Sequence, residues 1–107
     1  MDIENIRQRV LGGHYVISFT HTEKLRRRKI SLETIEEAIR GGEIIEDYPD
    51  DPRGPSCLIL GVTQGRRSIH VVCGTIENDQ ILVITAYEPN LEEWERDWRT
   101  RKKGGAR

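Results

Sequence analysis

Cys57-Leu-Ile-Leu-Gly-Val-Thr-Gln-Gly-Arg-Arg-Ser-Ile-His-Val-Val-Cys-Gly-Thr-Ile-Glu-Asn-Asp-Gln-Ile-Leu-Val-Ile-Thr-Ala-Tyr87 decides the fold. Three β-branched runs, about 57–63, 68–75 and 80–87, are separated by turn chemistry at Gln64-Gly65-Arg66-Arg67 and at Glu77-Asn78-Asp79. Apolar strand formers broken at short intervals by Gly, Asn and Asp predict antiparallel hairpins. Pro89 stops the third run.

Working outward, Glu43-Ile-Ile-Glu-Asp-Tyr48 predicts a strand before the hairpins, and Pro49 to Pro55 reads as a loop. Further upstream the period changes. Ser31 followed by Leu32, Ile35, Ala38 and Ile39 predicts a helix ending at Gly41-Gly42. Ile3, Ile6, Val10 and Leu11 predict a short helix stopped by Gly12-Gly13. Tyr15 to Phe19 is a short β-prone run, and the segment from His21 to Lys29 reads as a helical turn. On the other side, Leu91, Trp94 and Trp98 predict a C-terminal helix within 91–107, fraying into a basic tail. The order predicts one α+β domain over 1–107, with N-terminal helices packed on an antiparallel sheet of about four strands.

Even-length hairpin loops would put Leu58, Leu60 and Val62 on one core face with Ile69, Val71, Cys73, Leu82, Ile84 and Ala86. His70, Val72, Val83, Thr85 and Tyr87 would share the opposite face, with Gly61 leaving open space before them. The same register puts Cys57 and Cys73 on opposite faces, against a disulfide.

Charge is abundant and nearly balanced: Lys and Arg number 17, Asp and Glu 18, for a formal net charge of -1. It is unevenly distributed. Lys24, Arg26, Arg27, Arg28 and Lys29 form a basic segment, and Arg99, Arg101, Lys102, Lys103 and Arg107 a basic tail. Between them, residues 33–51 are acidic. Such separation orients a protein on a polyanion. Two cysteines without a CxxC motif predict no zinc site, and no carboxylate cluster has metal-ligand spacing, so no metal or cofactor is expected. With no apolar run long enough to cross a bilayer and no signal-peptide pattern, a cytoplasmic protein with reduced thiols is expected, with no membrane partner.

Imidazoles beside cations suit phosphodiester chemistry. His70 is the expected general base or acid, with His21 as its complement. An arginine among Arg26, Arg27 and Arg28, with Arg27 the central one, would stabilise a phosphorane. Tyr87 would orient phosphate or base, and Thr85 would hold His70. Lys24, Arg26, Arg28 and Lys29 would contact the nucleic-acid backbone. Without a metal, the RNA 2′-hydroxyl would serve as the nucleophile, so RNA is the expected substrate. The rival expectation is a non-catalytic module whose basic segments hold nucleic acid or an acidic protein while the histidines are structural.

Ser18-Phe-Thr-His21, Arg26-Arg-Arg-Lys-Ile30, Ile35-Glu-Glu-Ala-Ile39, Gly42 to Tyr48, Ile69-His-Val-Val72 and Ile84-Thr-Ala-Tyr-Glu-Pro89 stand in an order that resembles the small bacterial domain DUF4258 over about 14–90. The resemblance implies a RelE-like or broader microbial-RNase-like fold. It also implies a toxin of a toxin–antitoxin system, partnered by an antitoxin-like protein. The family's polar pattern would fall on His21, one of Arg26 to Arg28, His70, Thr85 and Tyr87. At net charge -1 the chain departs from strongly basic ribosome-dependent toxins.

Overall fold

The computed structural model describes residues 1–18, 22–76 and 80–102. Helices α1 (Ile3–Leu11), α2 (Thr22–Arg27) and α3 (Leu32–Arg40) accompany strands β1 (Tyr15–Ile17), β2 (Glu43–Tyr48), β3 (Ser56–Val62), β4 (Ser68–Ile76) and β5 (Gln80–Tyr87). The strands form one mixed five-stranded sheet of order β1-β5-β4-β3-β2. The class is α+β, as the periodicities predict. The expected meander of about four strands is extended by β1, which joins the outer edge of β5 in parallel.

Local chemistry sets the helix ends. Asp2 caps α1 by accepting from Glu4 N, and Ser31 caps α3 by accepting from Thr34 N. α1 ends in a Schellman turn: Gly13 takes φ +84°, while Gly13 N and His14 N donate back to Val10 and Arg9. α2 ends the same way, but the left-handed residue is Lys29, at φ 57°. Lys29 N donates to Arg26 O and Ile30 N to Leu25 O, and the buried Leu25 and Ile30 are the apolar pair such turns bring together.

The helix-side face of the sheet is Cys57, Ile59, Ile69, Val71, Cys73, Ile81, Val83 and Ala86, all buried. It packs on Ile6, Val10, Ile35, Ala38 and Ile39. Gly61 belongs to this face. A Cβ there would lie 2.0 Å from the Ala38 carbonyl oxygen, so the missing side chain lets α3 approach the sheet backbone.

This register corrects the expected one. Val62 pairs with Ser68 across residues 63–67, an odd-length loop in which Arg66 takes φ 61°. An odd loop turns β4 over relative to the even-loop register. Ile76 pairs with Gln80, so the second connection is odd as well and puts Ile81 and Val83 on the helix side; a bulge then turns the end of β5 over, since Val72 pairs with Thr85 but Cys73 with Val83, leaving Ile84 as the extra residue. Leu58 and Leu60 therefore share a face with His70, Thr85 and Tyr87, while Val83 and Gly61 lie on the other. Cys57 and Cys73 are direct cross-strand partners on the helix side, and both are free thiols. Burial pushes the Cys57 thiol up to about 11 and raises Cys73 further in the same direction.

Among the described residues the expected C-terminal helix does not form. Residues 88–102 form an irregular strap closed by a bridge between Trp94 and Arg101. Asn90 accepts from Glu92 N and Glu93 N, and Asp97 from Arg99 N and Thr100 N. Two such side-chain turns satisfy the backbone in place of helical bonds. Trp98 completes the reversal at φ 62°.

Candidate functional site

The site grows from the second face of the sheet. Among the described residues β1 runs along β5 as far as Val83, where Ser18 N donates to the Val83 carbonyl. Beyond that point the β5 edge meets the end of α2. Arg28 reaches this edge: its Nη1 donates to the Ala86 carbonyl at 2.8 Å and to Thr85 Oγ1 at 3.3 Å. Of the three consecutive arginines, Arg28 is the one that joins the late strands. Arg26 pairs with Glu23 on its own helix, and Lys24, Arg27 and Lys29 are exposed.

A second arginine braces this junction. Arg67 donates to the carbonyls of Lys29 and Arg28 at 2.9 and 2.7 Å, and its Nε lies 3.0 Å from Glu88 Oε2. The planar fork of guanidinium suits this divided contact. Arg67 and Glu88 were not among the expected site residues; only the turn position of Arg67 stood out in the sequence.

His70, Thr85 and Tyr87 share this face, His70 opposite Tyr87 and Thr85 one diagonal step away. The His70 and Tyr87 rings meet edge-on at 5.4 Å. Yet His70 is fully buried. Trp94, itself 1% exposed, lies across it at a centroid distance of 4.5 Å. His70 Nε2–H donates to the Trp98 carbonyl at 2.7 Å, which fixes the neutral tautomer, while Nδ1 is buried without a partner. Burial holds the imidazole below its usual pKa; the Trp98 bond and Glu46 oppose this. Burial also raises the Tyr87 phenol, so it stays protonated at neutral pH. Among the described residues this face therefore presents a guanidinium, a hydroxyl and a phenol, with the imidazole sealed beneath the strap. His21 lies outside the described residues.

The strap is tied to the acidic strand β2. Arg101 makes a two-pronged contact with Glu46 at 2.7 and 3.0 Å and stacks 4.5 Å over the Trp94 ring. Arg99 makes a similar pair with Glu43. Both carboxyls are held below the usual range by these guanidinium bonds. Of the basic tail, Arg99 and Arg101 are thus paired with carboxylates of β2. Lys103 and Arg107 lie outside the described residues. Among the described residues no group of three or more His, Cys, Asp or Glu side chains is placed to hold a metal, and no helix is long and apolar enough to cross a membrane.

The family described as Domain of unknown function (DUF4258) matches residues 21–88, more than half the chain. The chain belongs to this family. The DUF4258 match starts at His21, ends at Glu88 and includes the whole Arg28–Thr85 junction with its Arg67 brace. The strap over His70 falls almost entirely outside it. No curated protein and no solved structure matches the chain.

Proposed function

We propose that this DUF4258 domain is an RNA-binding protein of the toxin type, cytoplasmic and RelE-like in fold, and that it holds a phosphodiester where α2 crosses the edge of β5. One observation carries the reading. The Arg28 guanidinium, at the end of an exposed cationic segment, sits on the Thr85 hydroxyl and leaves further N–H donors for an anion. Lys24, Arg27 and Lys29 extend the positive surface from that point. Single-stranded RNA is the better match than duplex, because Tyr87 is half-buried near the same edge and offers a ring or hydroxyl to an unstacked base. An antitoxin-like protein is the partner this reading implies.

A metal-independent endoribonuclease is the second reading, favoured by the edge contact between His70 and Tyr87 and by the partnerless His70 Nδ1. It assigns His70 and His21 to proton transfer and Arg27 or Arg28 to the phosphorane. It also requires the strap to leave His70, since a general base must come within hydrogen-bond reach of the proton it removes.

One experiment separates the readings. Purified protein is titrated into labelled single-stranded RNA in EDTA, following anisotropy, and the same samples are run on a gel. Salt-sensitive binding with intact RNA supports the binding reading. Cleavage that vanishes in His70→Ala, a change worth about 10² to 10⁴-fold where the histidine moves protons, supports the second. Neither binding nor cleavage sinks both.

A further inference from the structure

On the flank of α2 away from Arg28, the chain carries a cleft of about 220 Å³, several times the roughly 30 Å³ of a water molecule. Its lining is mostly carbon: Ile17 from β1, Leu25 from α2, Ile30 from the turn and Leu32 from α3. Leu32 is 53% exposed at the rim, an unusual position for a large aliphatic group at the head of a helix. Thr22 and Arg26 complete the α2 wall.

We propose that this cleft docks a protein partner, through an acidic amphipathic segment that seats aliphatic side chains against Leu25, Ile30 and Leu32 and turns carboxylates toward Arg26. Charge complementarity identifies the occupant. The α2 wall belongs to a helix carrying Lys24, Arg26 and Arg27, with Lys29 beyond it, and Arg26 is three-quarters exposed and pairs with Glu23. Glu33, Glu36 and Glu37 of α3 line a different depression, with Arg40 and Gln64. Among the described residues that line the cleft none is aromatic, so these residues offer a base no ring to stack on. An apolar floor with a charged rim is instead the pattern of a helix-in-groove contact.

The site deepens the partner half of the proposed function and rests on it. Its consequence follows from α2 itself: the same short helix presents Arg26 to the cleft and leads to Arg28 at the β5 edge. A segment seated in the cleft therefore competes with RNA for the field of α2.

The test is a peptide-display selection on the full chain, counter-selected on Leu32→Asp. That variant keeps its fold, because Leu32 is exposed at the first turn of α3, where an acidic side chain favours the helix; circular dichroism checks this. The expected result is enrichment of segments with aliphatic residues on one face and Asp or Glu beside them. A synthetic copy of one should lose about tenfold or more in affinity on Leu32→Asp and again on Arg26→Glu, a factor of ten being about 1.4 kcal/mol. No enrichment, enrichment of basic segments, or affinity untouched by Leu32→Asp overturns the proposal. Labelled RNA added without peptide is scored separately: failure of RNA to bind counts against the RNA reading alone, while RNA perturbing Leu25 and Leu32 counts against the cleft as a protein site.

Discussion

Burial of His70 makes acid costly. Its folded pKa lies below its unfolded value, so its contribution to stability is complete above the unfolded pKa, near 6.5, and is lost as pH falls through the folded one. Urea midpoints should therefore fall from pH 7 toward pH 5. Glu43 and Glu46, also held low, lose their contribution only further down, as pH drops below the ordinary carboxylate range. Replacing His70 with Phe, which keeps a ring beside Trp94 but removes the donor to the Trp98 carbonyl, should flatten the upper window and leave the lower one. An unchanged profile in His70→Phe would show that another group titrates there. The sequence announced His70 as a strand histidine, and it put Thr85 and Tyr87 on the same face. It did not announce the lid over the ring. Which arginine reaches the strands was also illegible, because the answer depends on a left-handed Lys29 that no local rule demands.

At the scale of elements, two glycine-related positions carry the packing. Gly61 lets the α3 backbone lie against β3, so Gly61→Ala should cost about 3 kcal/mol, at the upper end for overpacking a tight core. A change below about 0.5 kcal/mol in urea denaturation would mean that α3 does not pack so closely. Lys29 is the converse case. It holds φ 57° at the left-handed position of the α2 turn, where glycine is at ease. Lys29→Gly should relieve that strain and stabilise the fold by about 1 kcal/mol; a lower denaturation midpoint would contradict the turn geometry. The elements themselves were legible because apolar period and capping agree, as at Ser31 and Leu32 to Ile39. Register was not, since the five residues 63–67 and the extra Ile84 each flip a strand without altering the apolar count. Trp94 and Trp98, four apart, mimic a helix; the contrary signal was Asn90 and Asp97, residues that bind their own backbone in turns.

Across the whole molecule, charge is partitioned. The acidic strand β2 neutralises Arg99 and Arg101 and so fastens the strap, whose Trp94 and Trp98 close over the buried His70. The cations around α2 have few carboxylates beside them and face outward on both flanks of one short helix. A near-neutral chain can therefore hold a polyanion, because the local field and not the net charge governs attraction within a Debye length, about 8 Å at physiological salt. The two basic segments, 24–29 and the tail as far as residue 102, have different partners in the fold, which no composition count distinguishes.

The central claim is that Arg28 holds an RNA phosphate at the β5 edge. Its most direct test is the salt dependence of single-stranded RNA binding, measured by anisotropy in EDTA for the wild type and Arg28→Gln. The glutamine keeps hydrogen-bond donors for Ala86 while removing the charge. Loss of one phosphate contact should lower affinity and reduce the slope of log K against log salt by about 0.7, the single-strand value. Equal affinity and equal slope in a folded Arg28→Gln protein would contradict the account.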